Sequence, residues 1–169
     1  FWNDVEEGRR TNRERAETAA RQLKAVIARD ANHPSVIIWS VSNETREEEP
    51  DIAESNRVLV RLARETDPTR LCAHVSYRWV NDPHFEEDDL ICINHYPNLL
   101  WYDLKDGAKP TPLQSAELWR TWLADLHAKC PSKPILITEF GNCSFPGTHG
   151  NGFGEDDHAR VIEAERLDL

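Results

Sequence analysis

A chain of 169 residues with a formal net charge of −10 and a pI near 5.1 is long enough for one core. It is short of the roughly 250 residues of a complete eight-stranded α/β barrel, so a single domain or part of one is expected. The acidity argues against a nucleic-acid partner, because holding a phosphate backbone depends on lysine and arginine displacing counterions.

The opening FWNDVEEGRR has no apolar signal core, and no run of about 18 apolar residues follows it, so no membrane partner is expected and the compartment stays open with a lean to the cytoplasm. The chain starts on Phe1 and contains no methionine, and it reads as a stretch of a longer protein. Thr11 with Glu14 has capping-box spacing, and Ala16, Ala19, Leu23 and Ile27 follow at helical intervals, predicting a helix to about Asp30. Asn32, His33 and Pro34 break it. The continuous apolar run 36–41 then reads as a strand buried on both faces.

Residues 45–50 are polar and charged, after which Ile52, Asn56, Leu59 and Leu62 or Ala63 recur at helical spacing until Asp67 and Pro68. A short strand is predicted over 71–76, a loop or single helical turn over 77–89, and a third strand over 90–94. Residues 95–112 are rich in aromatics and proline. Leu118, Trp119, Trp122, Leu123 and Leu126 mark an amphipathic helix closed by Pro131, with a fourth strand at 135–138. A glycine-rich loop over 141–154 and a helix over 156–167 complete the chain. Four strands separated by helices or loops, with no hairpin signal, predict an α/β fold of four consecutive parallel β/α units, half a barrel.

Two segments carry the chemistry. WSVSNE at 39–44 and ITEFG at 137–141 each set a glutamate, Glu44 and Glu139, at the carboxyl end of an apolar β-rich run, where barrel enzymes place catalytic groups. Either one alone could be a surface glutamate opening a loop. Together they are the minimum equipment for cleaving a glycosidic bond, and about three β/α units between them would bring them across the mouth of a closed barrel. Asn43 can donate to a sugar hydroxyl, and the Tyr96 phenol can donate to a carboxylate nucleophile. His95, Trp101, Tyr102 and Trp79 lie in loops after strands, where flat rings suit the C–H faces of a pyranose or simply pack. A carbohydrate is the expected substrate.

Gly150, Gly152 and Gly154 alternate without the spacing of a dinucleotide or phosphate loop, and no HExxH, zinc or calcium pattern occurs, so no cofactor and no metal is expected. His33, ahead of the first strand, belongs to the end of a barrel that serves stability. The four cysteines, Cys72, Cys92, Cys130 and Cys143, form no CxxC pair and are expected as inert thiols.

The run RDANHPSVIIWSVSNE at 29–44 resembles the strand-four signature of glycoside hydrolase family 2, the β-galactosidases, β-glucuronidases and β-mannosidases. ITEFG at 137–141 is similar to that family's strand-seven nucleophile motif, and ICINHYPNLLWY at 91–102 to the strand-six segment of β-glucuronidases. The resemblance implies strands four to seven of a partial (β/α)8 TIM barrel, the whole chain being a single partial catalytic domain. It implies a retaining β-glycosidase working through a covalent glycosyl-enzyme on β-glucuronide or β-galactoside-like substrates. Glu44 would be the acid/base and Glu139 the nucleophile, with Asn43 on the sugar 2-hydroxyl and Tyr96 holding the nucleophile. The carboxyl groups would then stand about 5–5.5 Å apart, Glu44 keeping its proton near neutral pH and Glu139 ionised. Ser42 stands where family members often have glycine.

The remaining barrel strands and the usual amino-terminal sandwich domains are missing from this stretch, so the rest of the barrel or a homo-oligomer partner is expected to cover the open sheet. Two alternatives remain at this level. One is a β-glycanase or mannanase on a related barrel, and the other a non-catalytic carbohydrate-binding or assembly module.

Overall fold

The computed structural model describes residues 12–77, 79, 84–99, 109–150 and 153–168. Helices and strands alternate as α1 (Asn12–Asp30), β1 (Ile38–Asn43), α2 (Pro50–Thr66), β2 (Leu71–Ser76), β3 (Ile91–Asn94), α3 (Pro112–Lys129), β4 (Ile135–Glu139) and α4 (Glu155–Asp168). The strands form one sheet in the order β1-β2-β3-β4, and β1 with β2 and β2 with β3 are parallel. Ile91 N–H donates to the Pro134 carbonyl at 2.8 Å and His95 N–H to the Glu139 carbonyl at 3.1 Å, so β4 ascends in the same direction as β3. This is the α/β arrangement of parallel strands expected of a partial barrel. No described helix is long and apolar enough to cross a membrane.

Two boundaries differ from the sequence expectation. β1 begins at Ile38 rather than Val36 because the Val36 peptide is committed elsewhere. Its N–H closes a turn on the His33 carbonyl at 3.1 Å, and its carbonyl accepts from Arg70 Nε at 2.7 Å. Within β1, Trp39, Val41 and Ser42 are buried and Ser40 is exposed. α3 begins at Pro112 rather than near Leu118, because TPLQ is a capping box. Gln114 N–H donates to the Thr111 hydroxyl at 3.3 Å, the Gln114 side chain accepts from Thr111 N–H at 2.9 Å, and Pro112 needs no partner for a missing N–H. The Thr11 cap of α1 lies outside the described residues.

By backbone proximity the chain divides into two units, Phe1–Ile93 with Ser132–Leu136 and Asn94–Pro131 with Ile137–Leu169. In the first, the stripe Ala19, Leu23 and Ile27 of α1 meets Leu59, Val60 and Ala63 of α2 over Trp39, Val41 and Cys72 of the sheet. Each fully buried aliphatic side chain here contributes about 1.5–3 kcal/mol. Ala73 and Val75, alternating to the other face of β2, pack with Leu90 and Cys92. Arg70 finishes α1, its guanidinium donating to the carbonyls of Ala31 at 2.8 Å and His33 at 3.2 Å as well as to Val36. Thr69, the Trp39 indole and Arg70 together hold the Asp67 carboxyl well below the usual carboxylate range. All four cysteines are free. Burial pushes the Cys72 and Cys92 thiols up to about 11, which keeps them protonated and unreactive near neutrality.

In the second unit α3 and α4 pack against each other, burying Ala116, Trp119, Leu126 and Val161. Glu165 of α4 is fully buried, where it accepts from the Ser115 hydroxyl. Burial pushes its carboxyl up to about 7. The unfolded chain gives up this proton near the ordinary carboxylate value of 4.5. Folding stability from this group is therefore present in acid, falls as pH climbs from that value to about 7, and stays low above it. Glu165→Gln, which cannot titrate, is expected to gain about 2 kcal/mol on the parent between pH 5 and pH 8, read from urea unfolding at the two pH values.

Candidate functional site

The carboxyl end of β1 is shaped by a register shift. Ile38, Trp39 and Ser40 pair with Leu71, Cys72 and Ala73, but Asn43 pairs with Val75, so three residues of β1 advance against two of β2. Such a bulge re-aims the residues beyond it. Glu44 follows at once, its N–H donating to the Val75 carbonyl at 2.9 Å and its φ at +51°, the one positive φ among described non-glycine residues. A side chain in that left-handed region costs roughly 1–2 kcal/mol. Asn43 and Glu44 are both half-buried.

Behind this end lies a buried polar network. The Ser42 hydroxyl donates to Asn56 Oδ1 at 2.9 Å, and Asn56 Nδ2 donates to the Thr45 hydroxyl at 2.8 Å. The fully buried Glu47 carboxylate accepts from the Ser76 hydroxyl and from His74 Nε2 at 3.0 Å. His74 Nδ1 and the His74 backbone N–H lie 2.9 Å and 2.6 Å from Asp88 Oδ1, and the ring stacks on Phe85 at 5.2 Å. With a carboxylate at each ring nitrogen, both nitrogens must donate, so the ring is an imidazolium. Burial opposes the charge, but the ring's hydrogen bonds to Asp88 and Glu47 outweigh it and hold the His74 pKa at about 9.

In the second unit the comparable end is that of β4. Glu139 is the last residue of the strand, half-buried, and the Tyr96 phenol donates to its Oε2. Thr138 donates to Asn94 Oδ1, which ties β4 to β3 one residue earlier. Beyond the strand Asn142 Nδ2 donates to Asn98 Oδ1 at 2.9 Å, and Asn98 Nδ2 to the Pro110 carbonyl at 2.7 Å, so two buried amides fix the loops that flank the carboxylate. Gly141, two residues after Glu139, has φ +102°, and a Cβ there would meet Ile162 Cγ1 at 3.2 Å, so both backbone and space favour glycine.

Of the residues singled out from sequence, the structure brings Tyr96 onto Glu139 and places Asn43 beside Glu44 on the bulged end of β1. His95 is buried edge-on to Trp122 and Trp119, with centroids 4.8 Å and 6.2 Å away, and Trp79 is among the largest fully buried side chains. Trp101 and Tyr102 lie outside the described residues. The network of Glu47, His74 and Asp88 was not anticipated. Its signal was a histidine inside the apolar run LCAHVS, since an ionisable ring in a buried strand demands partners. Among the described residues no group of three histidine, cysteine or acidic side chains could hold a metal ion.

Parallel strands that gather polar groups at their carboxyl ends, with helices between them, are the arrangement of a fragment of an α/β barrel. Residues 3–158 match the family model described as "Glycosyl hydrolases family 2, TIM barrel domain", and the chain belongs to that family. It is 32% identical over 133 residues to the beta-glucuronidase of Streptococcus agalactiae, an alignment covering 75% of this chain and 21% of that protein. The Rattus norvegicus beta-glucuronidase is 30% identical over 151 residues, with 87% of this chain and 22% of the relative covered. Among solved structures, the beta-D-glucuronidase of Dictyoglomus thermophilum superimposes with a TM-score of 0.83 at 28% identity, covering 100% of this chain and 29% of that one. The chain thus spans 21–22% of the length of these two curated relatives.

Proposed function

We propose that the full-length protein is a retaining β-glycosidase that cleaves β-glucuronides, and that this chain supplies strands four to seven of its catalytic barrel. The observation that carries the reading is the Tyr96 phenol donating to the Glu139 carboxylate at the end of β4, which orients one oxygen and leaves the other to attack. Glu139 attacks the anomeric carbon while Glu44 gives its proton to the departing glycosidic oxygen, forming a glycosyl ester and the free alcohol or phenol. Water then attacks the anomeric carbon of the glycosyl ester, Glu44 takes the water's proton, and Glu139 leaves as carboxylate, so two inversions retain the configuration. Asn43 holds the sugar 2-hydroxyl, whose hydrogen bond strengthens as positive charge develops at the ring. The similarity to proteins named beta-glucuronidase supports a glucuronide in preference to a galactoside.

The test is intact-mass and peptide analysis of the full-length protein after incubation with 2-deoxy-2-fluoro-β-D-glucuronyl fluoride and, separately, the galactosyl counterpart. A glucuronyl adduct on the peptide containing Glu139 is expected. An adduct only with the galactosyl reagent would replace the sugar, and an adduct on another carboxylate, or none on folded protein, would overturn the assignment of the nucleophile.

A further inference from the structure

Glu47 presents a problem that the proposed chemistry does not solve. It is the one inward-facing acid of the run Glu47, Glu48 and Glu49, fully buried, whereas its neighbours Arg46 and Glu48 remain in water. A buried carboxylate costs several kcal/mol unless it is paired, and a surface loop has no need of one. Its partners explain it. Three consecutive residues of β2 hold the loop that Glu44 opens: His74 through its ring to Glu47, Val75 through its carbonyl to Glu44 N–H, and Ser76 through its hydroxyl to Glu47. Asn56 adds a fourth tie at Thr45. Asp88 fixes the far side of the His74 ring, and the Lys133 ammonium in turn donates to the Asp88 carbonyl at 2.8 Å. A left-handed backbone at a non-glycine residue persists only where its surroundings over-determine it, and these ties do so at Glu44.

We propose that Glu47 and His74 are positioning residues for Glu44, gripping the loop 44–47 so that the Glu44 carboxyl is presented from its left-handed backbone toward the glycosidic oxygen. The inference rests on the reading of Glu44 as the acid/base. Neither residue touches substrate. The consequence is specific to proton transfer. A poor leaving group such as phenol or an alcohol needs the acid, whereas 2,4-dinitrophenolate departs without one, so a displaced acid penalises the first kind of substrate selectively.

In the full-length protein, Glu47→Gln keeps the volume and one hydrogen bond to His74 while removing the charge. Its kcat/KM on phenyl β-glucuronide is expected to fall about tenfold or more, against less than about threefold on the 2,4-dinitrophenyl substrate. Added azide, a nucleophile that needs no base, should speed turnover of the activated substrate, because a displaced Glu44 serves the attacking water poorly. Ser76→Ala, a gentler change, should show the same asymmetry to a smaller degree and carries the comparison if Glu47→Gln does not fold. Equal losses on both substrates, or no loss, would overturn the positioning role. Glu44→Ala run alongside separates the two ideas. If it too lacks the asymmetry, the acid/base reading itself fails, and if it alone shows it, only the role of Glu47 and His74 does.

Discussion

Glu139→Gln should reduce turnover by roughly four orders of magnitude or more while leaving the fold in place. The amide has the shape of the carboxylate, and its oxygen can still accept from the Tyr96 phenol. What it loses, on the proposed mechanism, is the ability to form and expel an ester at the anomeric carbon. The measurement is a pre-steady-state burst of dinitrophenolate from the glucuronide. The parent should release one equivalent quickly and the variant none, with thermal midpoints agreeing within a few degrees. A variant that kept a tenth of parental turnover would place the nucleophile elsewhere.

Glu44→Ala should behave differently in kind. Removing a general acid costs about 10²- to 10⁴-fold where the leaving group needs protonation, and far less where it does not. Hydrolysis of the ester intermediate also slows without its base, so the activated substrate should show a lowered kcat together with a lowered KM as intermediate accumulates. Azide, a nucleophile that needs no base, should restore the rate and yield β-glucuronyl azide, identifiable by its retained configuration. Stability should change little, because alanine at φ +51° carries the same backbone strain as glutamate. A uniform loss across leaving groups would remove Glu44 from the acid/base role.

Much of this was legible because it was local. α2 and β2 lie where Pro50, Asp67 and the apolar run 71–76 put them, since helix period, proline and β-rich composition act within a few residues. Glu44 and Glu139 stand out in the sequence for the same reason, one directly after β1 and the other closing β4. The start of β1 was misread because the residue that claims the Val36 carbonyl is Arg70, 34 positions away, and nothing near Val36 announces it. The early start of α3 was readable in TPLQ but was masked by the stronger aromatic period that follows. Glu47 was hidden more deeply. In REEEP it looks like any solvated charge, and only the pairing of its loop with β2 turns it inward. Glu165 is the same case on α4, a charge in a helical run whose burial depends on the packing of α3 against it.

The left-handed backbone at position 44 sets two selective pressures against each other. Glycine there would relieve the strain, and asparagine would tolerate it better than most side chains. A library sorted for thermal resistance alone should drift toward those residues and shed the carboxyl group. With Glu44 as the proposed acid/base, a stabilising redesign of this chain must hold position 44 fixed and seek its gains elsewhere.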